Sequence, residues 1–311
     1  MGRPSAAAGA VIVDILSAGF SLLYQYADSI SLLVLSAIGL IVIFGMMGVI
    51  NMAHGELMMI GAYCASGAYR LGLPIPLAVL AGGLGAGLVG IILEQLVIRR
   101  FYGQLLSSLV ATWGLSLLLG QGFLLIFGPS IRSMPTPLGS FTLGEYSYSY
   151  YRLAMLGIAL ALIAAVWALF RLTRFGVHAR ATMENPDMAR ALGVRTAGIY
   201  MLTFGLGAAL AGIAGALFAL TAPIEPTFGR SYTPVAFITV VVAGGADIIG
   251  GLLASALSLA LVKTAFTSQF NILLGHVAML VAAFVVIRLL PDGISDYVER
   301  LRARATGRRE N

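Results

Sequence analysis

The 311-residue chain contains one cysteine, one lysine, two tryptophans and three histidines, and only 10% of its residues are charged. Each scarcity excludes something. The lone Cys64 cannot close an internal disulfide, and its apolar surroundings read as those of a small core residue rather than a reactive thiol. Soluble domains are about one-quarter charged, so an ordinary soluble globule is excluded. No G-x-x-x-x-G-K-[ST] segment occurs, so the chain has no usual route to ATP hydrolysis. No A-x-A cleavage site follows the first apolar run, which reads as an uncleaved helix beginning after Arg3.

What is abundant is apolar surface. Hydrophobic residues make up 59% of the chain and the mean hydropathy is +0.95. That composition predicts an all-α polytopic integral membrane protein. Apolar spans fall near 8–26, 30–49, 52–70, 75–98, 105–127, 151–170, 198–222, 232–248, 252–268 and 273–290. Several are shorter than the roughly 20 residues a crossing needs, so eight to ten transmembrane or half-membrane helices are expected. Eighteen of the 19 basic residues are Arg, and they cluster at Arg99, Arg100, the 171–197 loop and the 300–309 tail. Alternation puts those segments and Arg3 on one side, against Arg70, Arg132, Arg152 and Arg230 on the other. By the positive-inside rule both termini are then cytoplasmic, and 128–150 is an ordered external loop. The net charge of +6 follows from this topology and implies membrane lipid, not nucleic acid, as surroundings. The chain reads as one transmembrane domain over 1–311, ending in a basic cytoplasmic tail over 291–311.

Polar groups inside such a chain point to function, because they are costly at membrane depth. GVINMAHGELMMIGAY, over 48–63, carries Asn51, His54 and Glu56 within apolar sequence. Two roles fit. A helix broken at Gly55 would expose backbone groups along a solute path, as broken helices do in transporters. Alternatively, His54 and Glu56 bond neighbouring helices and fix their packing. Metal chemistry does not fit, since residues two apart do not share a helix face and the spacing is not H-E-x-x-H. Thr112 and Trp113 add candidates for the path, Trp113 because it sits away from the interfacial belt. Glu94 is expected to pair with Arg99 or Arg100, His178 to be a solvated loop residue, and Pro223, Glu225 and Pro226 to shape an external turn.

The cytoplasmic loop spells a short helix over 186–192. Asn185 is a good N-cap, Pro186 suits the first helical position, Asp187 complements the dipole, and Gly193 suits the left-handed residue after the end. A helix under two turns is not stable alone. Met188, Ala191 and Leu192 offer it an apolar contact, either on lipid headgroups or on a separate cytoplasmic subunit. Small residues four apart, Gly83 with Gly87 and Gly207 with Ala211 and Gly215, let helices pack backbone to backbone, within the bundle or against a second subunit.

Three segments in order carry a family likeness. GLIVIFGMMGVINMAHGELMMIGAY (39–63), TRFGVHARATMENPDMARALGVRTAGIYMLTFGLGAALAGIAGAL (173–217), and IEPTFG with AGGADIIGG (224–229 and 243–251) resemble the bacterial branched-chain amino acid permeases of ABC transporters, a family that includes urea and amide permeases. LVATWGLSLLL (109–119) and Met52 are closer to the urea and amide members. The resemblance implies a transport subunit of the bacterial inner membrane that binds no cofactor, with ATP held by two partner ATPase subunits. It also implies a second permease subunit, often an unlike chain, and a periplasmic or extracellular solute-binding protein. Asp247 departs from the family's small residue at that position; a place at the cytoplasmic interface, an ion pair with Lys263 or an Arg, and a substrate-amine contact all fit it. The rival class, a stand-alone channel or secondary transporter for a small neutral solute, explains the polar insert but not a double-capped cytoplasmic helix.

Overall fold

The computed structural model describes residues 4–297 other than 132, 144–145, 246 and 292, with side chains from residue 17 onward. Arg3, Arg132 and the basic tail from Arg300 lie outside the described residues, so their expected positions do too.

The chain opens with α1 (Pro4–Met47), α2 (His54–Arg70) and α3 (Ile75–Leu96). A 3-10 turn at Ile98–Phe101 leads to α4 (Leu105–Phe127). A hairpin of β1 (Ser140–Leu143) and β2 (Tyr146–Ser149) then precedes α5 (Tyr150–Leu172), α6 (Arg174–Glu184) and α7 (Pro186–Ala191). Last come α8 (Thr196–Phe218), α9 (Phe228–Ala243), α10 (Ile248–Gln269) and α11 (Ile272–Leu289). Seven helices among the described residues are long and apolar enough to cross a membrane; α2, with 17 residues, and α9, with 16, are shorter.

The first two expected spans are one helix. Asp28 and Ser29 interrupt the apolar run, but they are satisfied sideways rather than by a turn. Arg152 donates to Asp28 Oδ2 at 2.7 Å, Thr264 donates to Ser29 Oγ at 3.3 Å, and Ser31 Oγ donates back to the Asp28 carbonyl at 2.8 Å. No glycine or proline occurs between Gly19 and Gly39 to break the helix. The expected spans 8–26 and 30–49 therefore count as one element, within the range of eight to ten. Phe20 and Tyr24 of α1 pack on Tyr148 of the β1–β2 hairpin, and Tyr24 Oη exchanges hydrogen bonds with the Ser149 backbone.

The bundle is organised around α8, whose small residues admit three neighbours. Gly83 and Gly87 of α3 lie against Ile213, Ala209 and Gly205 of α8. Gly207 and Ala211 meet Gly39 of α1, and Gly215 meets the Met58 backbone of α2. A Cβ at Gly39, Gly61 or Gly215 would strike backbone atoms of the facing helix. Such contacts supply van der Waals attraction where lipid gives no hydrophobic drive between helices. The small-residue spacing thus serves packing within the chain. Cys64 differs from its expected core role: it stands on the exposed face of α2 beside Gly85.

Candidate functional site

The break in the polar insert lies at 48–53, not at Gly55. Gly48 closes α1 in the left-handed region (φ 60°), with its N–H on the Phe44 carbonyl at 2.9 Å. The chain then runs without regular structure until α2 starts at His54. Gly55 is already helical; it is a glycine because α2 crosses α9 there, with Gly229 and Thr233 occupying the space a Cβ would need.

Non-helical backbone at membrane depth must be satisfied within the protein. Asn51 Oδ1 accepts from Ala53 N–H at 3.1 Å, and Thr112 Oγ1 on α4 accepts from Met52 N–H at 3.0 Å. The Thr112 hydroxyl proton is available to the Ser108 carbonyl at 2.8 Å. Thr112 therefore clamps the break to α4.

His54 and Glu56 leave α2 in different directions, as residues two apart on a helix do. His54 reaches α1, where Nε2 donates to the Ser36 carbonyl at 2.9 Å; a carbonyl only accepts, which fixes the tautomer. Glu56 reaches α4, where its Oε1 accepts from Ser116 Oγ at 2.6 Å. Both side chains are buried, as is Asn51. Yet Asn51 Nδ2, His54 Nδ1 and Glu56 Oε2 have no hydrogen-bond partner among the described residues. Three such atoms within six residues are more than packing asks for.

The inner face of α4 extends this polar seam. Its buried residues are Ser108, Thr112, Ser116 and Gly120, one per turn, and Ser116 lies midway along the helix. Gly120 lies one turn beyond Ser116, toward the 128–150 loop. There the Arg230 guanidinium of α9 comes against Gly120. Arg230, Gly120, Gln121, Leu124, Pro129, Pro226 and Thr227 line a cleft of about 240 Å3. Trp113 does not join the seam. It is 55% exposed, about 100° round α4 from Thr112.

In the cytoplasmic loop, Asn185 Oδ1 accepts from Asp187 N–H at 3.1 Å and from Met188 N–H at 2.9 Å, and Gly193 has φ 87°. The helix ends at Ala191, with Leu192 as its C-cap. Ala189 turns inward, while Met188, Ala191 and Leu192 are exposed. A second helix, α6, precedes it. Thr173 caps it by accepting from Gly176 N–H at 3.2 Å, a T-x-x-G signal readable in the sequence, and Arg180 bonds the Phe170 carbonyl of α5. His178 is exposed on α6.

Two expected pairings differ. Glu94 accepts from the Tyr102 hydroxyl, not from Arg99 or Arg100. Burial and that carboxylate hold the Tyr102 phenol well above its ordinary pKa. Asp247 is the exposed N-cap of α10, accepting from Ile249 and Gly250 N–H at 3.2 and 3.1 Å, and makes no ion pair with Lys263. A turn forms at Glu225, with Phe228 N–H on the Glu225 carbonyl at 2.9 Å.

The sequence model for the family described as "Branched-chain amino acid transport system / permease component" matches residues 22–290. The chain is 32% identical over 236 residues to the high-affinity branched-chain amino acid transport system permease protein BraD of Pseudomonas aeruginosa, covering 70% of this chain and 77% of that one. It is 29% identical over 277 residues to the permease protein LivH of Escherichia coli K12, covering 84% and 90%. It is also 31% identical over 185 residues to the autoinducer 2 import system permease protein LsrC of Yersinia pseudotuberculosis, covering 57% and 52%. No solved structure matches it.

Proposed function

The chain belongs to the family of permease components of branched-chain amino acid transport systems, and from that premise we propose that it carries branched-chain amino acids along the seam between α2 and α4, driven through α7. It is a multi-pass membrane subunit of an ABC importer and not an enzyme. The relatives named above favour branched-chain amino acids over urea or short amides as cargo. Two ATPase subunits, a second and unlike permease subunit and a solute-binding protein complete the proposed assembly.

The observation that carries the reading is α7: a helix capped at both ends, on the Arg-rich side, with its apolar residues turned outward. Too short to persist alone, it is fixed by α6 and offers Met188, Ala191 and Leu192 to another surface. Force on α7 has a short route inward. The Val194 N–H bonds the Ala189 carbonyl at 3.0 Å, and α8 begins at Thr196. Farther up, α8 meets α1 at Gly39 and α2 at Met58, one contact on each side of the 48–53 break. Rocking α8 would therefore move the two walls of the break together with the seam, as alternating access requires.

The test is Leu192→Asp. The variant is expected to insert into membranes at wild-type levels but to lose co-purification of the ATPase and solute uptake. Normal ATPase association would sink the coupling role of α7.

A further inference from the structure

An arginine in a membrane-spanning chain is costly unless it faces protein, water or a substrate, and Arg230 is exposed in the first turn of α9. Arg230 is in neither of the two ion pairs found among the described residues. Its guanidinium lines the cleft and comes against Gly120. Glu56 is 1% exposed; one of its oxygens is held by Ser116 and the other has no hydrogen-bond partner among the described residues. Ser116, which holds Glu56, and Gly120, which meets Arg230, are successive residues on the same buried face of α4, about one helical turn (~5.4 Å) apart along it.

We propose that the cleft between α4 and the start of α9 receives the head group of a zwitterionic α-amino acid, with Arg230 taking its carboxylate and Glu56 Oε2 its ammonium. The proposal rests on the reading of the chain as an amino-acid permease and assigns it a head-group site. An α-amino acid carries its two charges on either side of one carbon, which suits a cation and an anion whose contacts on α4 are a single turn apart. The guanidinium fork matches a carboxylate in two parallel hydrogen bonds. Gly120 keeps the guanidinium face open, since a Cβ there would stand 3.1 Å from Arg230 Nη2. Pro129, Pro226 and Thr227 form the rim toward the 128–150 loop, where a delivering protein would release its load. Order along the seam then follows: head group at Arg230 and Glu56, then the buried Asn51–Thr112 level below.

Two measurements test this. In the assembled importer in proteoliposomes, Arg230→Gln is expected to lower uptake of labelled L-leucine at least tenfold per assembled complex, and Arg230→Lys to restore part of it. Uptake within twofold of wild type in Arg230→Gln overturns the proposal. The second measurement is independent of assembly and of the cargo's side chain. A reporter thiol, Thr227→Cys in a Cys64→Ser background, is modified by a charged thiol reagent in the full-length chain. Millimolar glycine and L-leucine should slow the modification several-fold, whereas leucinamide, without a carboxylate, and 4-methylpentanoate, without an ammonium, should not. Equal protection by all four, or by none, overturns the proposal. An importer that carries no leucine while glycine still protects the thiol would reject the cargo reading and leave the head-group site standing.

Discussion

At the scale of single residues, Thr112 shows how much one hydroxyl settles. It accepts the Met52 N–H, which no helix or strand can satisfy, and it sits on the helix that carries Ser116. Thr112→Val keeps the shape and removes the acceptor. A buried donor left unpaired costs about 1–3 kcal/mol. The variant should unfold in detergent at a lower temperature than wild type by that margin, while Thr112→Ser should stay near wild type; an unchanged Thr112→Val midpoint would mean that the break is held elsewhere. The roles of the insert were only half legible in the sequence. That Asn51, His54 and Glu56 matter could be read from their cost in lipid. The partners of His54 and Glu56 could not, because Ser36 and Ser116 come from two other helices. The position of the break was also concealed: both Gly48 and Gly55 are glycines, but one needs a positive φ and the other a missing Cβ, and sequence does not distinguish these demands.

At the scale of elements, short helices were readable where their ends are written in side chains. Asn185, Pro186 and Gly193 marked α7 to within one residue. The same logic at Thr173 marks α6, yet its Arg-rich sequence reads first as topology. Because α7 has under two turns, its cap is a large part of its stability. Asn185→Ala should remove about 1 kcal/mol from the helix, so the fraction of chains presenting an ordered α7 should fall severalfold. The expected result is weaker ATPase association, seen as faster dissociation of the purified complex, with Asn185→Asp close to wild type. An equal effect of Ala and Asp would point to a direct contact made by the Asn185 amide and not to capping.

At the scale of the molecule, hydropathy pointed to the all-α membrane fold, but not to the joining of the first two expected spans in one helix. Asp28 looked like a turn between two spans because, alone, it would be too costly in lipid; the Arg152 that pairs with it is over a hundred residues away. The two arrangements place Gly19 differently. In a two-span arrangement, 8–26 crosses the bilayer and Gly19 lies within it. In the single helix α1, Phe20 packs against Phe141 and Tyr148 of the β1–β2 hairpin, in the loop that the Arg distribution puts outside, and Gly19 beside it is exposed with nothing within 4 Å of a Cβ. A thiol at Gly19→Cys, in a Cys64→Ser background, should therefore react with a membrane-impermeant reagent added from outside, as should one at Leu71 in the α2–α3 turn. A thiol at Met188 should react only after the membrane is opened. Silence at Gly19 with reaction at Leu71 would restore the two-span arrangement. It would also detach α1 from the hairpin that the Tyr24–Ser149 hydrogen bonds now fix to it, and with it the outer anchor of the helix whose other end forms the break.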